Sequence, residues 1–121
     1  MKNKILAVDD SFSVRKLVQF TLKSKGFQVG TAEDGQDALD KLQDDEYDAI
    51  VLDINMPHLD GLEFLKVIRS DSAFASIPVI MLTTEGQEED KNKSLKLGAS
   101  AYIVKPFKPT ELLRLVESIL N

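Results

Sequence analysis

The sequence predicts an α/β domain with a doubly wound parallel sheet, in which five strands alternate with five helices. Four short apolar runs are continuous, as expected for strands that are buried on both faces of a parallel sheet. The predicted strands begin near residues 5, 27, 49, 79 and 101, and the intervals of 22, 22, 30 and 22 residues each accommodate one strand and one helix. The four continuous runs are Ile5–Val8, Ala49–Leu52, Val79–Leu82 and Ala101–Val104.

The remaining strand, predicted over Phe27–Gly30, has a different pattern. Its apolar residues alternate with Gln28 and Gly30, which is typical of a strand at the edge of a sheet. Right-handed crossovers with this strand at the edge give the order 2-1-3-4-5, a flavodoxin-like arrangement. This order places the topological switch point, where such sheets bind ligands, between the first and third strands.

Four amphipathic helices are predicted from apolar residues at helical spacing and from their end signals. They cover residues 13–25 before Gly26, residues 35–43, a segment that follows Asp60 and Gly61, and a segment that begins near Pro109. Their predicted buried residues are Val14, Leu17, Val18 and Leu22 in the first, Ala38, Leu39 and Leu42 in the second, Leu62, Leu65 and Ile68 in the third, and Leu112, Leu113, Val116 and Leu120 in the last.

The remaining helix, predicted over residues 88–97, is the weakest element. Its only large apolar residues are Leu95 and Leu97. Few buried contacts mean low local stability, so this helix is expected to shift at small energetic cost.

Composition limits the classes of function. The chain has 121 residues, which suits one domain over residues 1–121, and its formal net charge of -5 argues against direct nucleic-acid binding. It has no cysteine, which excludes disulfides and thiolate metal sites. Only four apolar residues separate Lys4 from two aspartates, too few for a signal peptide or a membrane span. We therefore expect a cytoplasmic protein that does not insert into membranes.

The four continuous apolar runs each stop at a residue that can handle a phosphoryl group. These residues are Asp9 with Asp10, Asp53, Thr83 and Lys105. Because the carboxyl ends of parallel strands share one edge of the sheet, three carboxylates, a hydroxyl and an ammonium are expected to meet there. Such a group of side chains could bind a divalent cation and a phosphate.

Magnesium prefers oxygen ligands, which Asp9, Asp10 and Asp53 can supply, and manganese is an alternative ion. Three neighbouring carboxylates repel one another, which raises their apparent pKa unless a cation or Lys105 offsets the charge. Taken alone, the Asp9–Asp10 pair is more typical of a helix cap than of a metal site. Asp53 alone is as typical of a turn residue as of a phosphoacceptor. Their shared position at one end of the sheet favours the site.

Phosphoryl transfer to a carboxylate needs a nucleophile, a metal and donors for the phosphoryl oxygens. Asp53 is the natural nucleophile because it is central in the group. Lys105 and the Thr83 hydroxyl would then contact the phosphoryl oxygens. An ionised carboxylate needs no general base, and His58 is expected to be a solvated loop residue.

Four motifs surround the ends of the continuous apolar runs. They are Val8-Asp9-Asp10-Ser11, Leu52-Asp53-Ile54-Asn55-Met56-Pro57, Leu82-Thr83-Thr84-Glu85 and Tyr102-Ile103-Val104-Lys105-Pro106-Phe107. Together they resemble the receiver domain of two-component response regulators, and the resemblance covers the whole chain. Since no output domain is apparent, the chain is similar to stand-alone receivers of the CheY chemotaxis type.

The resemblance implies a role for individual residues. Asp53 would accept phosphate from the phosphohistidine of a sensor histidine kinase or a histidine phosphotransfer domain. Asp10, Asp53 and the Asn55 carbonyl would bind magnesium directly, and Asp9 would act through water. The remaining implied roles are a switch pair formed by Thr83 and Tyr102, tuning of the phosphoryl lifetime by Asn55 and Glu85, a cis peptide bond after Lys105, and required glycines at Gly61 and Gly98.

The resemblance also implies a signalling function. Phosphorylation would switch a docking surface for a target protein, formed by helix four, strand five and helix five, in a monomeric protein that controls chemotaxis or motility. The chain would catalyse its own phosphorylation and dephosphorylation but turn over no external substrate. An alternative is a phosphorelay intermediate that passes phosphate to a histidine phosphotransfer protein. Phe12 and Phe20 lie off the buried stripe of helix one, where they either dock the phosphodonor protein or lie partly buried under loops.

Two further functions compete with this prediction. A phosphatase of the haloacid dehalogenase type also uses an aspartyl nucleophile, but it usually has a second carboxylate two residues later, where this chain has Asn55. A binding module that is never phosphorylated would not need Asp53, Thr83 and Lys105 together. Turnover of an external phosphoester would favour the phosphatase, and failure to label with a phosphodonor would favour the binding module.

Overall fold

The computed structural model describes residues 3–56, 59–84 and 88–120, in which strands and helices alternate strictly. The strands are β1 (Lys4–Val8), β2 (Gln28–Ala32), β3 (Ala49–Asp53), β4 (Val79–Thr84) and β5 (Ala101–Lys105). The helices are α1 (Phe12–Lys23), α2 (Gly35–Asp44), α3 (Gly61–Ser70), α4 (Glu88–Lys96) and α5 (Pro109–Leu120). None of the helices within these ranges is long and apolar enough to cross a bilayer.

The five strands form one parallel sheet in the order β2-β1-β3-β4-β5, which confirms the predicted fold and strand order. Successive side chains of each strand point to opposite faces, and both faces are covered. On one face the strands pack against α2 and α3, and on the other against α1 and α5. The sheet is therefore the middle layer between two apolar cores.

The helix starts follow from capping side chains. The Ser11 hydroxyl accepts a hydrogen bond from the Val14 N–H at 3.3 Å, so α1 begins at Phe12, one residue before the predicted start. Asp34 and Asp60 cap α2 and α3 in the same way. Gly26 has a φ of 90° and follows α1 in the left-handed conformation that favours glycine.

Several predictions of burial need correction. Leu17 was expected in the buried stripe of α1 but is 38% exposed, and Thr21 is buried instead. Phe64, which is absent from the predicted stripe of α3, is fully buried because it is one turn from Ile68 on the same face. β5 was expected to be covered on both faces, but it is an edge strand in which Val104 is exposed.

The carboxyl end of α4 is held by a side chain of α3. At its carboxyl end, the Gly98 carbonyl accepts hydrogen bonds from Arg69 Nε at 3.1 Å and Nη2 at 3.0 Å, and Ser94 is fully buried. Burial lowers the pKa of Arg69, and its Nη1 has no partner among the described residues. Leu95 is 41% exposed, so α4 has little apolar contact with the core, as the sequence predicted.

Phe64 and Phe20 allow a matched test of the core. Phe64→Ala should lower the free energy of unfolding by about 3–5 kcal/mol, because it leaves a cavity among buried side chains. Phe20→Ala should change it by less than about 0.5 kcal/mol, because Phe20 is 77% exposed. Urea unfolding measures both values, and Phe64→Leu provides a folded variant if the alanine variant is too unstable. Equal effects at the two positions would contradict the described packing.

Candidate functional site

The register of the sheet brings the predicted site residues to one edge. Val8 pairs with Leu52, so Asp9 and Asp53 follow at the same level on neighbouring strands. Asp53 pairs with Leu82, and Thr83 is the next residue of β4. Thr84 pairs with Lys105 at the end of β5. Parallel pairing alone therefore places these side chains around one crevice.

Lys105 connects the two innermost carboxylates. Its Nζ lies 2.9 Å from Asp9 Oδ2 and 3.2 Å from Asp53 Oδ1. Burial opposes the charge of this ammonium, but the two carboxylates outweigh that effect and raise the pKa of Lys105. Lys105 is therefore held as a cation between Asp9 and Asp53. The peptide bond between Lys105 and Pro106 is cis.

Asp9 has partners at both carboxylate oxygens. Oδ1 accepts a hydrogen bond from the Ser11 N–H at 2.9 Å, and Oδ2 accepts one from Lys105. The side chain is almost completely buried. These hydrogen bonds hold the Asp9 side chain in place and compensate its negative charge.

Asp53 is less well compensated. It is 3% exposed, and its Oδ1 accepts a hydrogen bond from the Asn55 N–H at 3.3 Å in addition to the contact with Lys105. Burial and the nearby charge of Asp9 raise the pKa of Asp53 to about 6, although Lys105 and the Asn55 N–H act in the opposite direction. The crevice therefore has an excess of negative charge when Asp53 is ionised.

Asp10 completes a group of carboxylates that suits a hard cation. Asp9, Asp10 and Asp53 each offer one oxygen, and these three atoms lie within 4.8 Å of one another. Asp10 is exposed, so the group is open to solvent on its side. Oxygen ligands, the excess negative charge at Asp53 and access for metal-bound water all fit a magnesium ion.

The structure also shows polar contacts that sequence reasoning missed. Arg15 Nη1 donates to the Asp9 carbonyl at 2.6 Å, and Asn55 Nδ2 donates to Thr84 Oγ1 at 3.3 Å. Arg15 lies one turn into α1, and no sequence pattern at its spacing from Asp9 predicts this contact. The sequence predicts a role for Thr83 alone, and the contact of the neighbouring Thr84 with Asn55 depends on how β4 lies beside the loop after β3.

The proposed switch residues occupy different environments. Thr83 is 2% exposed, at the end of β4. Tyr102 is half-buried in β5, and Lys91 Nζ of α4 lies 4.3 Å from the centre of its ring. Glu85 and His58 lie outside the described residues.

Gly61 allows α3 to begin close to the site. A Cβ atom at this position would collide with the Asp53 carbonyl oxygen and would lie 2.7 Å from Ile54 Cα. The Gly61 N–H donates to the Ile54 carbonyl at 2.9 Å. A larger residue would therefore push the loop that follows Asp53.

The chain matches the family model described as "Response regulator receiver domain" over residues 5–117. Similar curated proteins include the alkaline phosphatase synthesis transcriptional regulatory protein PhoP of Bacillus subtilis, 43% identical over 121 residues. The phosphate regulon transcriptional regulatory protein PhoB of Escherichia coli is 39% identical over the same length. The chain spans about half the length of these relatives, 50% of PhoP and 53% of PhoB.

Solved structures show the same similarity. The chemotaxis response regulator CheY4 of Vibrio cholerae is 43% identical with a TM-score of 0.92, and the match covers 99% of this chain and 100% of that one. A putative response regulator of Chloroflexus aurantiacus is 32% identical with a TM-score of 0.95, over 99% of this chain and 98% of that one.

The pKa of Asp53 predicts a pH-dependent effect on stability. Because this pKa is about 6 in the folded chain and 3.8 in the ordinary carboxyl, the folded chain binds more protons than the unfolded chain between these values. Ionisation of Asp53 therefore lowers stability as the pH rises through this window, and the loss is complete above it. Without divalent cations, Asp53→Asn should be more stable than the parent by about 2–3 kcal/mol at neutral pH.

This advantage should shrink towards zero as the pH falls to about 4. Urea unfolding in the presence of a chelator measures it across the window. Glu33→Gln removes an exposed carboxylate outside the crevice and is the control, with no comparable pH-dependent gain. An Asp53→Asn variant that is no more stable than the parent at neutral pH would contradict the electrostatic description of the site.

Proposed function

The chain belongs to the response regulator receiver domain family of two-component systems, and on this premise we propose that it is a signalling phosphoprotein with Asp53 as the phosphoacceptor. The observation that carries the proposal is the contact of Lys105 with both Asp9 and Asp53, next to a group of three carboxylates. The proposed domain is residues 1–121, in the cytoplasm. Its donor is a sensor histidine kinase or a histidine phosphotransfer domain.

In the proposed reaction, a carboxylate oxygen of Asp53 attacks the phosphorus atom of the donor phosphohistidine. A P–O bond forms as the P–N bond breaks, and the bonding electron pair stays on the imidazole nitrogen, which takes up a proton. Asp53 is suited to this role because it is ionised at neutral pH with its pKa near 6 and has only partial charge compensation. Hydrolysis by water restores the carboxylate and releases inorganic phosphate.

Lys105 and Thr83 stabilise the incoming phosphoryl group. The Lys105 ammonium is within reach of Asp53 and can pair with a phosphoryl oxygen, while the Thr83 hydroxyl donates to another. Asp10, Asp53 and the Asn55 carbonyl would hold a magnesium ion, with Asp9 acting through water because its oxygens already have partners. The bound cation would screen the charge that accumulates at Asp53.

Signal output requires a change that depends on phosphorylation. We propose that movement of Thr83 towards the phosphoryl group leaves space for Tyr102, and that α4 repacks because few apolar side chains hold it. The proposed docking surface for a target protein is formed by α4, β5 and α5. Asn55 and Glu85 would tune the lifetime of the phosphoryl group.

Two output routes are supported by similarity. The chain is 43% identical to the chemotaxis response regulator CheY4, which favours a monomer that docks on a target protein without contacting nucleic acid. It is also 43% identical to the transcriptional regulator PhoP, which favours a receiver that controls a DNA-binding partner or segment. The phosphorylation chemistry is the same in both, and no turnover of an external substrate is expected.

Phosphorylation should occur at Asp53 and require a divalent cation. Incubation with acetyl phosphate and magnesium should add one phosphoryl group, because the metal and Lys105 together offset the charge of the transition state. Intact-mass measurement should show this addition in the parent and its loss in Asp53→Asn. Asp44→Asn, which changes an exposed carboxylate of α2, is the matched control and should label like the parent.

The same samples separate the competing functions. Equal labelling of Asp53→Asn would exclude Asp53 as the acceptor. Catalytic release of phosphate from an excess of a phosphoester would indicate a phosphatase, and absence of labelling from any donor would indicate a binding module.

Phosphorylation should alter the surface formed by α4, β5 and α5. With a beryllofluoride mimic of the phosphoryl group, changes in amide chemical shift and hydrogen exchange should extend from Asp53 and Thr83 to residues 88–108, because α4 is held by few buried contacts. Complete conversion from 1:99 to 99:1 would need about 5.5 kcal/mol, so a partial shift is expected in the free protein. Changes confined to the loops around Asp9, Asp53 and Lys105 would contradict this output surface.

A further inference from the structure

One side-chain hydrogen bond joins the loop after β3 to the end of β4. Asn55 Nδ2 donates to Thr84 Oγ1 at 3.3 Å, and both residues are exposed at the carboxyl edge of the sheet. The bond crosses from the strand of Asp53 to the strand of Thr83. It shares no atom with the ion pairs that Lys105 makes with Asp9 and Asp53, although Thr84 and Lys105 are paired in register on β4 and β5.

Asn55 makes hydrogen bonds through both its backbone and its side chain. Its backbone N–H donates to Asp53 Oδ1 at 3.3 Å, and its side chain donates to Thr84. The two contacts restrict rotation of the residue whose carbonyl is the proposed neutral ligand of the cation. Hydrogen bonds that orient a metal ligand from outside commonly change metal affinity by about 10–100-fold when they are removed.

We propose that Thr84 is a positioning residue of the cation site, which acts by holding the side chain of Asn55. This inference rests on the proposed function, because it takes the Asn55 carbonyl as a metal ligand. Thr84 is the neighbour of Thr83 on β4, so the hydrogen bond also connects the cation site with the strand end that carries the proposed switch residue. Since coupling between two sites is reciprocal, a bound cation stabilises the position of this strand end as much as the strand end stabilises the cation.

Three variants of one residue test the role of the hydroxyl. Thr84→Val keeps the shape of the side chain and removes the acceptor, whereas Thr84→Ser keeps the acceptor. Magnesium titration of the protein without any phosphodonor, by calorimetry and by amide chemical shifts of residues 53–55, gives the dissociation constants. Thr84→Val should raise the dissociation constant about 10-fold, and Thr84→Ser should restore it to within about 2-fold of the parent.

A double-mutant cycle separates this mechanism from a general disturbance of the site. In an Asn55→Ala background the side-chain contact no longer exists, so Thr84→Val should have no further effect on the dissociation constant. Thr110→Val, an exposed threonine of α5, should bind magnesium like the parent. Urea unfolding checks that all variants are folded.

Two results would overturn the inference. The first is a Thr84→Val variant that binds magnesium as tightly as the parent, and the second is an effect of Thr84→Val that persists in the Asn55→Ala background. Labelling of Asp53 is measured on the same proteins. If Asp53 of the parent is not labelled, the proposed function is refuted. If Asp53 is labelled normally and Thr84→Val binds magnesium with unchanged affinity, only the role of Thr84 is refuted.

Discussion

The contact of one ammonium with two buried carboxylates is the interaction on which the rest of the site depends. Asp9 and Asp53 are 2% and 3% exposed, and two such charges without compensation would be very costly in a protein interior. Lys105 compensates them only because β5 follows β4, which follows β3, in the same parallel register. The pairing of β1 with β3, and of β4 with both β3 and β5, therefore brings the three charges together at the edge of the sheet.

The compensation is incomplete, and this has a chemical use. Burial and the charge of Asp9 keep the pKa of Asp53 near 6, because the single positive charge of Lys105 offsets these effects only in part. The exposed Asp10 lies beside the two buried carboxylates. A site with this excess of negative charge attracts a divalent cation, and it repels an incoming phosphoryl group until that cation is bound. The excess charge lowers the stability of the folded chain, and a bound cation would restore it. Functional sites commonly lower stability in this way.

Much of this arrangement could be predicted from the sequence, because continuous apolar runs reveal buried strands and the residue after each run identifies the site edge. The prediction failed where burial depends on neighbours that are distant in the chain. Leu17 and Val104 are apolar but exposed, whereas Thr21 is polar but buried. The contact between Thr84 and Asn55 was also missed, because it depends on the register of β4 against β3 and not on either local motif.

The two hydrogen bonds from Arg69 to the Gly98 carbonyl bear on how α4 can move. Hydrogen bonds from Arg69 of α3 hold its carboxyl end, where Ser94 is buried, while the first turn contains mainly acidic side chains and no buried apolar residue among those described. If α4 moves when the end of β4 moves, we expect its carboxyl end to stay in place, because the hydrogen bonds from Arg69 hold it there. The larger displacement is expected in the first turn of α4, which is farther from these hydrogen bonds.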